Sequence, residues 1–408
     1  MKGSAVWIAW KSLQQHALST WIAAASIALA GGLLMSVWML RSQAESTFAN
    51  SNCGFDAVLG PRGSQLQLVL NSIFHLEASA GTIPGDTAQK LQRHPMPMIR
   101  TAIKTAIPIA VGDNYKGYRL VGTTNALFES HEYIEGKKFE LAGQGSWFDE
   151  EKKEAVAGSF AAGKLGLKVG DTFRPYHGLT YVEGTQHEDL YTLVGILEPT
   201  STPADRVIWI PLKGIQTMDG HREDLQNDIS ALLITLRSKM AIGILDPMLN
   251  KQGKEYTFAS ITPVMTRFFQ KFSWFEKVLQ LVAYLVGISA AGSVLAILYN
   301  ILNEKRREIA ILRSLGASRG TLVSIVMLQS TGIAFLGVLL SFGFYAIVAS
   351  TASGIIREQT GVVLDLFQYQ PVFAWVPAGM LGLGVVSGIL PAVIAYTNEV
   401  SRNLAPTS

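Results

Sequence analysis

The chain has 408 residues, 49% of them hydrophobic and 16% charged, with a mean hydropathy of +0.26. It is too apolar for an ordinary soluble protein and too polar to be embedded in a bilayer throughout. A formal charge of +3, with basic residues near candidate membrane ends rather than on one patch, excludes a nucleic-acid partner; a single cysteine, Cys53, excludes an intramolecular disulfide or a cysteine-built zinc site.

Residues 1–20 place Val6, Trp7, Trp10 and Leu13 near one helical face with Lys11 opposite, the pattern of an interfacial helix on the cytoplasmic leaflet. Residues 21–40 form the first charge-free apolar run, long enough for the roughly 20 residues that a spanning helix needs. Arg41 follows it with no small-x-small cleavage site, so it reads as a retained span rather than a signal peptide.

Residues 41–277 make a large mixed α/β region. Asp56 to Ser64, rich in Gly and Pro, reads as a fixed turn. Helices are expected at about 65–74, 84–92 and 240–249. Strands are expected from Thr105 and from Gly117 with a turn at Gly112-Asp113-Asn114 between them, and also over 190–197, 206–210 and 229–236.

Chemistry in this region is hard to find. Gly158 to Leu165 matches the start of a phosphate-binding loop, but Leu165 stands where the loop needs a hydroxyl for Mg²⁺, so it reads as a helix ending at a glycine. His75, His94, His131, His177, His187 and His221 show no metalloprotease spacing, and no serine sits in a nucleophile elbow. No catalytic or cofactor-binding residue is assigned. His177, His187, Glu188 and Asp189 lie close enough in sequence to raise a metal site, although a polar loop of that composition is more often simply solvated.

Three further apolar runs follow at 278–302, 322–349 and 373–396, separated by residues 303–320 and by a short loop at 350–372. Lys305, Arg306, Arg307, Arg313 and Arg319 crowd the first of these gaps, whereas the loop carries only Arg357. With Lys2 and Lys11 ahead of the first run, this bias places both termini, including the tail at 397–408, in the cytoplasm and residues 41–277 outside. The fold class is therefore an α-helical membrane protein with four transmembrane helices plus a large mixed α/β extracytoplasmic domain.

Within residues 303–320, Ile309, Ile311, Leu312 and Leu315 give a helical apolar pattern and Gly316 supplies a stop. The order Glu-Lys-Arg-Arg-Glu, then Ile-Ala-Ile-Leu and Leu-Gly-Ala, resembles the cytoplasmic segment of FtsX-like permeases, found in MacB-type (type VII) ABC transporters and lipoprotein-releasing permeases. Gly388 to Tyr396 resembles the close of that family's last helix, and residues 41–277 resemble a MacB-like periplasmic core domain, a porter-like unit with an inserted subdomain at about 115–224.

The resemblance implies a permease subunit in a bacterial inner membrane, non-enzymatic itself, with ATP bound by a separate cytoplasmic ABC ATPase. It implies that Glu304, Arg306, Arg307, Glu308, Ile309, Leu312, Arg313, Leu315 and Gly316 couple to that ATPase, with Ile309 and Leu312 buried against it. A periplasmic adaptor or substrate-carrying protein and membrane lipid are further implied partners. The cargo would be a lipoprotein, lipid, peptide or other hydrophobic compound. Two other readings stay open: an FtsX-like regulator that activates an external enzyme without transport, and a membrane-anchored receptor for a ligand or metal.

The spans carry small residues every four positions, at Ala24, Ala28 and Gly32 and at Ala283, Gly287 and Ala291. Such spacing lets helices approach closely in lipid. Four spans make a poor transport path alone, so these stripes are expected to form a homodimer interface. No Asp, Glu, Lys, Arg or His lies inside any run, which argues against an ion or proton pathway.

Overall fold

A computed structural model describes residues 2–50, 52–218, 226–253, 255–314 and 316–397. In chain order the main elements are helices α1 (Lys2–Gln15) and α2 (Ala17–Asn50), strand β1 (Ala57–Pro61), helix α3 (Gln65–Ser72), and strands β2 (Ile103–Tyr115), β3 (Tyr118–Thr123) and β4 (Glu154–Ala157). Helix α4 (Ser159–Leu165) precedes β5 (Thr172–Phe173), β6 (Tyr176–His177), β7 (Tyr191–Ile196), β8 (Ile208–Pro211), β9 (Ala231–Leu236) and β10 (Tyr256–Ser260). The rest is helical: α5 (Ile261–Lys271), α6 (Ser273–Glu304), α7 (Arg306–Ser314), α8 (Arg319–Thr360) and α9 (Val372–Thr397).

The chain divides into two compact units. The first holds residues 1–43, 272–353 and 365–408; the second holds 44–271 and 354–364. Among the described residues, four helices (α2, α6, α8 and α9) are long and apolar enough to cross a membrane. Each contains one of the apolar runs and extends past it. Residues 350–360, counted as loop in the sequence, continue α8 instead.

Close approach organises the first unit. A Cβ on Gly32 would enter the Phe344 side chain, one on Gly337 would enter Ile27, and one on Gly384 would enter Ala334. Thus α2 packs on α8, and α8 on α9, with backbones nearly touching, as helices must where packing rather than water drives association. Leu13, Ile27, Leu34, Ala290, Val294, Leu298, Val338 and Met380 fill the space between the helices.

The second unit is built on a ten-stranded sheet in the order β10-β1-β9-β2-β3-β8-β4-β7-β5, with β6 paired to β2. Most neighbours are antiparallel; β3–β8 and β4–β7 are parallel. The segment from Asp56, expected as a turn, is largely the buried strand β1, and only its end bends away. Its Gly60 packs against Leu68 of α3 and its fellows pair on both sides, at Ala57↔Ile234 and Ala57↔Ser260. Val58, Val69, Ile107, Phe128, Trp209 and Leu233 lie in one core, which also takes in Val362 from residues 354–364.

The hairpin expected to turn at Gly112-Asp113-Asn114 turns later. Those residues remain in β2, and the reversal falls at Lys116 (φ 50°) and Gly117 (φ 87°). Consecutive positive φ values are the mark of a type I′ turn, which matches the twist of paired strands and explains the glycine. The Gly117 N–H donates to Asn114 Oδ1 at 3.0 Å, so Asn114 serves the turn from inside the strand.

Candidate functional site

The segment between α6 and α8 is shaped by two breaks. Helix α6 ends at Glu304 and Lys305 leaves helical geometry, although its N–H still reaches Ile301 O at 3.0 Å. Gly316, at φ +96°, ends the stretch after α7 in a conformation that glycine adopts without strain. Ser318 then accepts from the Thr321 N–H at 3.2 Å, the side-chain cap that starts α8. A nine-residue helix isolated in this way carries its own face and direction.

One side of α7 rests on the chain itself. Ala310 is buried, and Ile309 packs beside Leu302, Val326 and Ala392. Glu304, Arg307, Glu308 and Ile311 are exposed and Arg313 is half-buried. Ile309, read from the sequence as a docking residue, therefore faces inward, and Ile311 takes the outward apolar position. The reason is phase: the bend at Lys305 sets which face of α7 meets α8 and α9, and no periodicity count reveals it. Leu315 lies outside the described residues, as do the side chains of Arg306 and Leu312.

The segment is also tied to α1. Lys305 Nζ donates to Gln15 Oε1 at 2.8 Å and sits 4.0 Å from Glu308, while Glu304 lies 3.6 Å from His16 Nδ1. Each ion pair sets a half-buried partner, His16 or Lys305, against an exposed carboxylate and is individually weak, but they come together at the junction of α1 and α2. Helix α1 buries Ala5, Ala9 and Leu13 and exposes Val6, Trp7 and Trp10. Large apolar residues on the open face of a surface helix suit a membrane interface.

The small-residue stripes need a correction. Ala24, Ala28, Gly32, Ala283 and Gly287 are all buried within a single chain, and Ala291 is half-buried. Gly287 looks at Met380 and Ala30, and Gly32 at Ser341 and Phe344. These positions hold the chain's own helices together and are not open to a twin. On α6 the opposite face, with Leu281, Tyr284, Leu285 and Ile288, is the exposed one.

Elsewhere the candidate chemistry recedes. Helix α4 ends at left-handed Gly166, and the Gly158 N–H is spent on Val207 O at 2.8 Å rather than offered to a phosphate. Burial of the Cys53 thiol pushes its pKa up to about 11, which leaves it unreactive. His131 stacks on Phe55 and its Nε2 meets Cys53 O at 2.6 Å. His75 is buried beside Trp209, and burial together with the charges of Arg119 and Arg206 lowers its pKa to about 3. His221 lies outside the described residues.

Residues 281–400 match the profile of the FtsX-like permease C-terminal domain. The match takes in part of α6, all of α7 and α8, and α9. No curated protein matches the chain. Four candidate spans together with this domain mark a multi-pass membrane protein with a permease-type role.

Proposed function

With its C-terminal part, residues 281–400, belonging to the FtsX-like permease family, we propose that this protein is the permease subunit of a MacB/FtsX-like ABC transporter driven by a separate cytoplasmic ATPase. The observation that carries the reading is α7, a short helix bounded by Lys305 and Gly316, seated on its own chain through Ile309 and Ala310 and offering Arg307, Glu308 and Ile311 outward. A helix so bounded is suited to receive a push and pass it on as a body.

In this reading ATP-driven closure of the ATPase displaces α7. The displacement reaches α6 and α8 at its two ends and α1 through Lys305–Gln15. The second unit is then a MacB-like periplasmic core domain, and both termini lie in the cytoplasm of a cell whose inner membrane holds α2, α6, α8 and α9. Two copies assemble, and cargo of the lipoprotein, lipid, peptide or other hydrophobic class is handled at the external face. An adaptor or carrier protein would deliver or receive it there.

The test is purification of the full chain in mild detergent, with identification of co-purifying proteins and measurement of their ATP hydrolysis. An ABC ATPase that co-purifies, and whose turnover changes when the permease is added back, supports the reading. A chain that repeatedly isolates with no ATPase overturns it.

A further inference from the structure

Asp113 is far in sequence from His177 and His187, and three short stretches of the second unit bring the three together. Asp113 sits on β2 just after a register shift between Val111 and Asp113, and it pairs across the ladder with His177 of β6. The chain then loops out through Gly178 and Gly184, both at positive φ, and returns. On the way back Gln186 bridges Tyr176, the His177 N–H donates to Thr185 O at 2.8 Å, and the His187 N–H donates to Pro175 O at 2.8 Å. Backbone hydrogen bonds thus hold both imidazoles beside one carboxylate.

The ligand atoms converge. His187 Nε2 lies 3.3 Å and His177 Nδ1 3.6 Å from the same oxygen, Asp113 Oδ1, and all three ligand atoms fall within 4.8 Å of one another. Asp113 is wholly buried, His187 is 8% exposed, and the His177 side chain is 58% exposed. Around them the Gly178 N–H donates to Asp113 Oδ1 at 3.2 Å, and Asn114 Nδ2 donates to Gly178 O at 2.9 Å.

We propose that Asp113, His177 and His187 bind a divalent transition-metal ion of the zinc class, with the fourth position open to solvent on the His177 side. Metal–ligand bonds of about 2.0–2.1 Å in a tetrahedron set neighbouring ligand atoms roughly 3.3 Å apart. The two His–Asp separations of 3.3 and 3.6 Å match that spacing and exceed the usual hydrogen-bond length of about 2.9–3.0 Å. Two imidazoles with one carboxylate suit Zn²⁺, Co²⁺, Ni²⁺ or Cu²⁺ and disfavour Mg²⁺ and Ca²⁺, which take oxygen ligands. The site lies wholly within the second unit and stands apart from the permease reading.

The test uses the untagged full chain in detergent, stripped of metal with a chelator and titrated with Zn²⁺ by calorimetry and with Co²⁺ by visible absorption. One ion per chain is expected, with the intense d–d bands of a four-coordinate cobalt site. His187→Ala and His177→Gln should each weaken binding by at least about tenfold, the scale already reached on removing outer-shell partners. Glu188→Gln, at an exposed neighbour, should leave binding unchanged. His177→Gln alters a mostly exposed ring and keeps the test meaningful even if the buried variant misfolds. Absence of one-to-one binding, or binding that survives His177→Gln, overturns the site in favour of a hydrogen-bonded Asp–His cluster.

Discussion

Lys305 and Gln15 are 290 positions apart in sequence, yet the ammonium of the first meets the side-chain oxygen of the second at 2.8 Å. The residue that breaks the helix ahead of α7 is thereby joined to the last residue of α1. Helices α1 and α7 thus meet at the residue that separates α7 from α6.

The two isoleucines of α7 should separate docking from folding. Ile311→Asp, at an exposed position, is expected to insert normally, keep its thermal stability and lose co-purification with the ATPase. Ile309→Asp places a charge among Leu302, Val326 and Ala392, at a cost of several kcal/mol, and should destabilise the permease itself. Full ATPase stimulation by Ile311→Asp would remove α7 from the coupling role.

Topology can be read with reporters. A fusion after the last residue, Ser408, should report the cytoplasm and one inserted near Gly143 the exterior, following the basic bias of residues 303–320. Both on one side would sink the four-span arrangement.

For the homodimer, burial redirects the search. Among the four spans α6 is the least covered by its own chain, so it has surface left to offer. Single cysteines at Leu285 or Ile288, in a background with Cys53 replaced, should crosslink between copies, and one at buried Ala283 should not. Crosslinking at Ala283 would mean that the helices rearrange on assembly.

Acidification should loosen the second unit around His75. Burial keeps this imidazole neutral in the fold, with its pKa lowered from 6.5 to about 3. Between those values the unfolded chain binds a proton that the fold refuses, so stability is present above about 6.5 and falls as pH drops towards 3. The slope approaches about 1.4 kcal/mol per pH unit for one such group. The protection factors of the β8 amides, with the intrinsic pH dependence of exchange divided out, should therefore fall in mild acid. His75→Asn, which tolerates the residue's φ of +55°, should flatten the dependence. An unchanged slope in that variant would assign the effect elsewhere.

The four long apolar helices are legible in the sequence because about twenty apolar residues in a row fit a bilayer and little else. The basic gap and Gly316 likewise pointed to a short helix between breaks. What composition could not convey was direction. Whether Ile309 or Ile311 looks outward depends on one non-helical residue, and whether Gly287 faces a twin or Met380 depends on tertiary packing. Asp113 was hidden for a different reason. Gly-Asp-Asn is ordinary turn chemistry, but pairing with Leu120 of β3 on one side and with β6 on the other keeps Asp113 in a strand, opposite a histidine 64 positions later. Asp56 to Ser64 misled in the same manner, since Gly and Pro within β1 are tolerated by neighbours that leave room for them.

Strand β1 lies between β9 and β10, which are drawn from residues 231–236 and 256–260. About 170 residues must therefore be made before a strand at position 57 meets its first neighbour, and nearly two hundred before it meets both. At synthesis rates of about 5–20 residues per second, that is a wait of roughly 10–40 s. For that interval Ala-Val-Leu-Gly-Pro is an apolar segment with open backbone on both edges, the kind of stretch that pairs with whatever strand it meets first. The place of β1 between two late strands thus makes the yield of this protein depend on whatever shields the nascent chain, and slowed translation ahead of residue 231 should lower yield more than slowed translation beyond residue 260.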